Sequence, residues 1–270
     1  MKKEAEMLFF GTADKAQRGN ILNKNNNVKE LILLPIFAIL FGIWAHLVLS
    51  GKLESFDLAV QSFFFSLRNP ILNSIGVALE YIGHWPVPAL VCVVMVALKK
   101  TRLSYGLPLT CCVLTSVGMY ELFKHIFKRP RPDASLWLCP EHGFSFPSGH
   151  TLNNTVFWVV FASLVGYYFL TKGKSLPVYA RDRSTTVYPR KKSTAVIIRV
   201  LLIAWPLIIG MSRILVGVHW PSDVIGSLIL SVAIISLGKL VFFFRNPKRK
   251  EYSELLKKDQ LKDIYLGGCK

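Results

Sequence analysis

The sequence predicts an all-α fold, a polytopic membrane helical bundle with about six transmembrane helices. Hydrophobic residues make up 52% of the 270 residues, and they occur in long runs. The runs at 31–49 and 224–237 contain no formally charged residue. A run of about 20 apolar residues is long enough to cross the roughly 30 Å hydrocarbon core of a bilayer as a helix. The basic residues lie mostly between the runs, as in membrane proteins with charged loops.

Six spans are predicted over residues 31–49, 71–98, 103–123, 151–170, 194–211 and 224–244. The second region is interrupted by Gly83-His84-Trp85-Pro86, and we expect a short helix, a break and then the span proper. The aromatic segment 56–67 is amphipathic and is predicted to lie along the membrane interface. Pro206 is expected to kink the fifth span, which neighbouring helices can tolerate.

The distribution of charge predicts the orientation of the chain. The formal net charge is +17, but the long apolar runs argue against a nucleic-acid partner and for the bilayer itself. With six spans, the basic segments 2–29, 99–102, 172–192 and 245–250 all fall on one side, which we expect to be the cytoplasm. The loop 124–150 lies on the other side, yet four of its first eight residues are Lys or Arg. Those residues are Lys124, Lys128, Arg129 and Arg131.

Three regions follow from these boundaries. Residues 1–29 are predicted to form a polar cytoplasmic segment, 30–245 the membrane domain, and 246–270 a basic cytoplasmic tail. We expect no cleavable signal peptide, because the first 30 residues are polar. No disulfide is expected, because Cys139 and Cys269 fall on opposite sides and the other cysteines lie within spans. The sequence leaves the oligomeric state and the role of the loop 171–193 open.

Three short segments, each at the outer end of a predicted span, combine residues suited to phosphate chemistry. They are Lys124–Pro132, Pro147–His150 and Ser212–Asp223. The arginines offer planar paired donors that match phosphate oxygens, and lysine adds a point charge. Ser148 and Gly149 precede a helix whose free N–H groups favour an anion, and glycine permits close approach of the backbone.

The two histidines, His150 and His219, can supply a nucleophile and an acid. His219 and Asp223 are four residues apart, so they share a helix face, and Pro221 is compatible with a first helical turn. Asp223 can then bond one ring nitrogen of His219, fix its tautomer and stabilise the cation that forms during attack.

Each segment also has a structural interpretation when it is considered alone. The Pro147–His150 segment can be a turn and helix cap, the basic residues can anchor a span, and His219 with Asp223 can be a satisfied helix-start pair. The ordered occurrence of all three on one side favours catalysis. His125, Glu141 and His142 are expected to be loop or interface residues, and His84 a structural residue at the helix break.

The three segments resemble the signature of the type 2 phosphatidic acid phosphatase superfamily, including its bacterial phosphatidylglycerophosphatase and undecaprenyl-diphosphatase members. That signature is Lys, six residues, Arg-Pro; then Pro-Ser-Gly-His; then Ser-Arg, five residues, His, three residues, Asp, and this chain matches every position. The resemblance covers about residues 50–240. It implies a six-span bundle and metal-independent phosphate removal through a phosphohistidine intermediate.

By the same resemblance, His219 is the nucleophile, Asp223 its partner and His150 the acid on the leaving oxygen. The residues that would hold the phosphate are Lys124, Arg131, Ser148, Gly149 and Arg213. The resemblance also extends to soluble vanadium haloperoxidases, against which the spans argue. Enzymes like glucose-6-phosphatase fit less well, because the chain is short and its outer loops are small.

No cofactor or metal is expected. Asp133, Glu141 and Asp223 are too few to form a two-metal site in the outer loops, and the cations can replace metal ions. The predicted partners are the bilayer and a lipid phosphate. The candidate lipids are undecaprenyl diphosphate, phosphatidylglycerol phosphate, phosphatidate and a lipid A phosphate, with the site facing the periplasm of a bacterial inner membrane. Apolar residues of the loop, including Leu136 and Phe146, suit sideways entry of a lipid headgroup or anchoring at the interface.

Two alternatives stay open. A lipid phosphotransferase would use the same motifs with an acceptor other than water. A non-catalytic lipid-binding or transport protein would be favoured by charge pairs within the membrane. The predicted spans are almost free of charge, and Glu80 is the only carboxylate well inside a hydrophobic region.

Overall fold

The computed structural model describes residues 28–172 and 192–243, and within these ranges the chain is helical with no β-strand. The helices are α1 (Val28–Leu49), α2 (Glu54–Ser66), α3 (Pro70–Ile82), α4 (Pro86–Ala97), α5 (Leu107–Phe127), α6 (Gly149–Lys172), α7 (Lys192–Leu215) and α8 (Pro221–Gly238). Short helical turns cover Arg102–Gly106, Ala134–Leu136 and Lys239–Phe243. The predicted all-α fold is confirmed.

The helix bounds agree with most of the predicted spans. The predicted break is confirmed, because α3 ends at Ile82 and α4 begins at Pro86. Among the described residues, four helical stretches are long and apolar enough to cross a membrane: Val28–Leu49, Pro70–Ala97, Arg102–Phe127 and Pro221–Phe242. The fourth and fifth predicted spans correspond to α6 and α7, which have 24 residues each. The count of six spans stays a prediction.

The distribution of burial is that of a protein in lipid rather than in water. Large apolar side chains are exposed along several helices, such as Ile71 at 73%, Leu90 at 66% and Leu201 at 63%. The buried set, in contrast, contains charged and polar groups, including Arg213 and Asp223. A water-soluble protein would rarely expose so much contiguous apolar surface. The chain is an integral membrane protein.

The packing centres on α6, which contacts both α5 and α7. An aromatic cluster joins α1 and α5 to the loop before α6: the Phe41 ring lies 4.9 Å from Phe123 and 5.8 Å from Phe146, between ring centroids. Phe146 is fully buried there. The prediction that Phe146 belongs to an interface for lipid entry is therefore wrong, because its ring fills the space between α1 and α5.

The helix α2 carries polar residues on its buried face. Asp57 is 1% exposed and Gln61 is 5% exposed, whereas Phe63 is 59% exposed. Asp57 accepts hydrogen bonds from the backbone N–H and the hydroxyl of Ser222, at 2.8 and 2.6 Å. These bonds satisfy an N–H group in the first turn of α8, which has no partner within its own helix. Asp57, on the buried polar face of α2, therefore holds the first turn of α8 in place.

The chain divides into two compact units. The unit Leu33–Ile235 contains every candidate site residue. In the other, the described parts are 28–32 and 236–243, and Lys239 pairs with Glu30 at 2.9 Å. The predictions for the N-terminal segment, the loop 171–193, Cys269 and the C-terminal tail fall largely or wholly outside the described residues.

Candidate active site

The three motifs meet in the structure at the C-terminal end of α5, the start of α6 and the loop from α7 to α8. The α5 helix continues beyond its predicted end and carries Lys124 in its last turn. The α6 helix begins at Gly149, so His150 lies in its first turn. Arg213 lies in the last turn of α7, and Asp223 in the first turn of α8. Helix ends thus supply most of the candidate side chains.

His219 has a defined partner on each ring nitrogen. Nδ1 lies 3.3 Å from the Asp223 carboxylate, and Nε2 lies 3.2 Å from Nη1 of Arg131. Arginine can only donate a hydrogen bond, so Nε2 must be the acceptor and Nδ1 must carry the proton. Burial, reinforced by the charges of Arg131, Lys124 and Arg213, holds the pKa of His219 well below its usual value. The imidazole is therefore neutral, with a lone pair on Nε2.

Asp223 is held in place from its other side by Arg129. Nη1 of Arg129 donates to Asp223 at 2.5 Å, and Nη2 donates to Asp57 at 2.7 Å. The backbone N–H of Trp220 also donates to Asp223, at 2.9 Å. Asp223 and Asp57 are almost completely buried, and the guanidinium between them compensates both carboxylates. We call Arg129, Asp57 and Asp223 the acid–arginine bridge.

Arg129 and Asp57 were not among the site residues predicted from the sequence. Arg129 was interpreted only as a loop charge, although Arg129-Pro130 comes directly before the identical pair Arg131-Pro132. Asp57 follows Glu54 by three residues in the aromatic helix α2, and an acid placed between Phe56 and Leu58 was the available signal. A lone carboxylate on a buried helix face requires a charged partner.

Arg131 uses most of its donors within the protein. Its guanidinium donates to the backbone carbonyls of Gly143, Val218 and His142, at 3.0, 2.8 and 2.9 Å. It also approaches Glu141, with 3.5 Å between Nη2 and the carboxylate. Arg131 thus ties the loop after α5 to the loop before α8 and orients His219. The Nη2 side of its guanidinium also faces Glu141.

Arg213 is fully buried and contacts two carboxylates, Glu80 and Glu141. Nη2 lies 2.7 Å from Glu141, and Nη1 contacts Glu80. Nε is buried and has no hydrogen-bond partner among the described residues. A buried N–H donor without a partner is costly, so an anion entering here would satisfy it. Glu141, expected from the sequence to be a loop or interface residue, instead lies at the candidate site.

Lys124 and Gly149 are linked through Tyr120. The ammonium group of Lys124 lies 5.3 Å from the centroid of the Tyr120 ring, and it forms no ion pair within the described residues. A Cβ atom at Gly149 would lie 3.3 Å from the same ring, which is tighter than most real contacts. The Ser148 hydroxyl accepts from the Thr151 hydroxyl at 3.1 Å. Its own proton is then free to be donated to a bound anion.

His150 faces Glu80 and His84. Nε2 of His150 lies 3.1 Å from Oε1 of Glu80, and the His84 and His150 ring centroids are 5.4 Å apart. His84, expected to be only a structural residue, therefore lies beside the candidate site. His125 does not reach it: its side chain is 73% exposed and its ring bonds to the carbonyl of Glu121.

Glu80, His84 and His150 also have the geometry to hold a metal ion, because their ligand atoms lie within 4.8 Å of one another. Nitrogen and carboxylate ligands of this kind suit zinc. The Glu80 carboxylate already contacts the Arg213 guanidinium, and beside Glu141 the positive charges of Lys124 and Arg131 also act on His150. These cations repel a divalent ion and attract an anion.

Comparisons with known proteins identify the family of this chain. The family model of the PAP2 superfamily matches residues 105–247. Phosphatidylglycerophosphatase B of Bacillus subtilis (strain 168) is 28% identical over 207 residues, which is 76% of this chain and 89% of that protein.

Two solved structures are also similar. The crystal structure of the first transmembrane PAP2 type phosphatidylglycerolphosphate phosphatase from Bacillus subtilis aligns with a TM-score of 0.60 and 25% identity, covering 76% of this chain and 94% of that one. Aquifex aeolicus LpxE aligns with a TM-score of 0.47 and 24% identity, covering 67% and 93%. The family match extends over more than half of this chain, which therefore belongs to the PAP2 superfamily and is an integral membrane lipid phosphatase.

Proposed function

We propose that the protein hydrolyses the terminal phosphomonoester of phosphatidylglycerol phosphate through a phosphohistidine on His219. The sequence alone placed this lipid among several candidates. Its support is the likeness to phosphatidylglycerophosphatase B over 89% of that protein. Undecaprenyl diphosphate, phosphatidate and a lipid A phosphate are the competing substrates.

The observation that carries the mechanism is the pair of contacts made by His219. Nδ1 faces Asp223 at 3.3 Å, and the lone pair on Nε2 points toward the guanidinium of Arg131 at 3.2 Å. A phosphate drawn to Arg131 would be brought to that lone pair. A neutral imidazole with a carboxylate on its far nitrogen is the form required of a nucleophile.

In the first step, Nε2 of His219 attacks phosphorus and the bond to the leaving oxygen breaks. His150 gives its proton to that oxygen, and the lipid alcohol departs. The charge on the His219 ring is balanced by Asp223, which the acid–arginine bridge holds in place. Lys124, Arg131, Arg213, the Ser148 hydroxyl and the backbone at Gly149 hold the phosphate oxygens.

In the second step, water attacks the phosphohistidine. His150, now neutral, accepts a proton from the water, the P–N bond breaks, and inorganic phosphate leaves. Every proton taken up in one half is returned in the other, so the enzyme regains its initial state. If another alcohol replaced water here, the product would be a new phosphate ester, and the protein would be a phosphotransferase.

The test measures phosphate release by purified protein from a panel of the four lipids, with and without EDTA. We expect the highest kcat/KM on phosphatidylglycerol phosphate and unchanged rates in EDTA, because the cations perform the electrostatic role of metal ions. Loss of activity in EDTA that magnesium or zinc restores would contradict the mechanism. Lipid consumption without release of phosphate would indicate transfer to another acceptor.

We also propose that the site faces the periplasm, as the loop charges predict. The loop residue Ser135 is exposed, whereas Cys139 is buried. A Ser135→Cys variant made in a Cys139→Ala background should react with an impermeant thiol reagent in intact cells. Labelling only after lysis would place the chemistry on the cytoplasmic side.

A further inference from the structure

Glu80 is a carboxylate that the proposed mechanism does not use, yet it lies between two groups that the mechanism needs. Oε1 lies 3.1 Å from Nε2 of His150, and Oε2 contacts Nη1 of Arg213. The Glu80 side chain is only 14% exposed. Glu80 therefore stands on the His150 side of the site, where the leaving oxygen must accept its proton.

The helix break between α3 and α4 fixes the position of this carboxylate. Asn154 of α6 donates from its side-chain amide to the carbonyls of Gly83 and His150, at 2.7 and 2.8 Å. A Cβ atom at Gly83 would come within 2.8 Å of Ile209 on α7, so the turn packs closely against that helix. The end of α3 is held by both α6 and α7, which limits how far Glu80 can move.

The other carboxylate on Arg213 occupies a different place. Glu141 lies 2.7 Å from Nη2 of Arg213 and 3.5 Å from Nη2 of Arg131. It bridges the two arginines that would hold the phosphate itself, and it comes from the loop before α6. Glu80 contacts only one of those arginines, and its second neighbour is the proposed acid His150. The two glutamates therefore mark the phosphate end and the leaving-group end of the site.

We propose that Glu80 selects the leaving group, favouring an alcohol and disfavouring a second phosphate. The proposal rests on the function proposed above and specifies its substrate class. In a diphosphate lipid the leaving group carries its own negative charge, which a fixed carboxylate in a poorly hydrated site would repel. When phosphatidylglycerol leaves, its terminal glycerol unit presents hydroxyl groups, and a carboxylate accepts hydrogen bonds from them.

The first experiment uses two substrates with the same tail: farnesyl monophosphate and farnesyl diphosphate. Initial rates of phosphate release give the ratio of kcat/KM for the diphosphate to that for the monophosphate. Glu80→Gln keeps the size of the side chain and removes its charge, and we expect this ratio to rise at least about tenfold, equivalent to 1.4 kcal/mol. Glu80→Asp keeps the charge and should preserve the wild-type preference.

Glu141→Gln is the matched control, because it removes the same charge from the same arginine at the phosphate end. It should change both rates by a similar factor and leave the ratio near its wild-type value. An unchanged ratio in Glu80→Gln, or an equal rise in the ratio in both glutamine variants, would overturn the proposal.

A second measurement does not depend on turnover. Binding of methylenediphosphonate and of methylphosphonate to the purified protein is followed by thermal stabilisation. Glu80→Gln should tighten binding of the diphosphonate relative to the monophosphonate by about the same tenfold factor. Failure of the wild type to release phosphate from any lipid would contradict the proposed function alone. An unchanged binding ratio would overturn the role of Glu80.

Discussion

The two histidines of the site are each paired with a carboxylate, but the two pairs are built differently. His219 and Asp223 are 1% and 0% exposed, and Arg129 holds Asp223 at 2.5 Å. His150 and Glu80 are 15% and 14% exposed, and Glu80 shares its charge with Arg213, a candidate phosphate-binding residue. We call these the locked pair and the open pair.

The difference separates two tasks of a phosphatase. Attack on phosphorus is the same for every phosphate ester, so a nucleophile benefits from a partner that does not move. The leaving group differs between substrates, so the acid and the residues around it contact groups of different charge and size. In the open pair, Glu80 contacts Arg213, the guanidinium that a substrate phosphate would also bind. The locked pair therefore suits catalysis of the common step, and the open pair suits discrimination.

The largest expected effect separates the two histidines. His219→Ala removes the proposed nucleophile, and we expect a loss of about 10⁴-fold or more on every substrate. His150→Ala should lose about 10²–10⁴-fold on a lipid monoester, where the leaving alkoxide needs a proton. On p-nitrophenyl phosphate, whose leaving group needs little assistance, His150→Ala should keep an appreciable fraction of its activity.

Trapping the intermediate gives an independent measure of the same difference. A labelled phosphoenzyme, isolated under alkaline conditions because phosphohistidine is acid-labile, should form in the wild type and vanish in His219→Ala. A phosphoenzyme that persisted in His219→Ala would identify another nucleophile. Equal losses on both substrates for the two variants would leave the two pairs without the distinct roles assigned here.

The next effect concerns Arg213, which contacts Glu80 of the open pair and is a candidate phosphate-binding residue. Arg213→Lys keeps the charge but loses the planar set of donors, including the buried Nε that has no partner within the described residues. We expect kcat/KM to fall by about 10²–10³-fold, the range for losing a transition-state donor. Wild-type turnover in Arg213→Lys would show that Arg213 contributes only diffuse charge.

A smaller loss of activity is expected from breaking the acid–arginine bridge that holds the locked pair. Arg129→Gln leaves the buried carboxylates of Asp57 and Asp223 without a compensating charge, so we expect a stability loss of about 3–5 kcal/mol in detergent. We expect kcat to fall up to about 10²-fold through misplacement of His219, with KM nearly constant.

Lys128→Gln is the control for Arg129→Gln, because it removes an adjacent, exposed charge. It should leave stability and kcat close to those of the wild type. A change in KM alone for Arg129→Gln would show that Arg129 binds substrate rather than positioning Asp223.

The smallest effect is in the pH dependence. Burial and neighbouring cations hold the pKa of His219 below its usual value, so the neutral, nucleophilic form persists below pH 6.5. In the His150→Ala background with p-nitrophenyl phosphate, kcat/KM should fall by less than about twofold between pH 7.5 and 5.5, whereas a nucleophilic histidine with its usual pKa would lose about tenfold. An acid limb centred at or above pH 6.5 would show that His219 titrates normally.

The order of residues along the chain was enough to predict the membrane helices and the main motifs. Apolar runs are local features, and the lipid environment requires a helix of a certain length for each crossing. The pairing of His219 with Asp223 was also predictable from their separation of four residues, but the reason was wrong: α8 begins at Pro221, so His219 reaches Asp223 from the loop before the helix. The break at Gly83–Pro86 could also be predicted, because glycine and proline interrupt helices.

The carboxylates that surround these motifs were decided only by the tertiary structure. Asp57 reaches Arg129 from 72 residues away, and Glu141 reaches Arg213 across the same separation. Glu80 meets His150 only because the turn at Gly83 packs against α6 and α7. A single acidic residue in an apolar segment indicates that a partner is needed, but its identity depends on how the helices pack. The sequence by itself determined which groups can perform the chemistry, and helix packing decided which charges hold them in place.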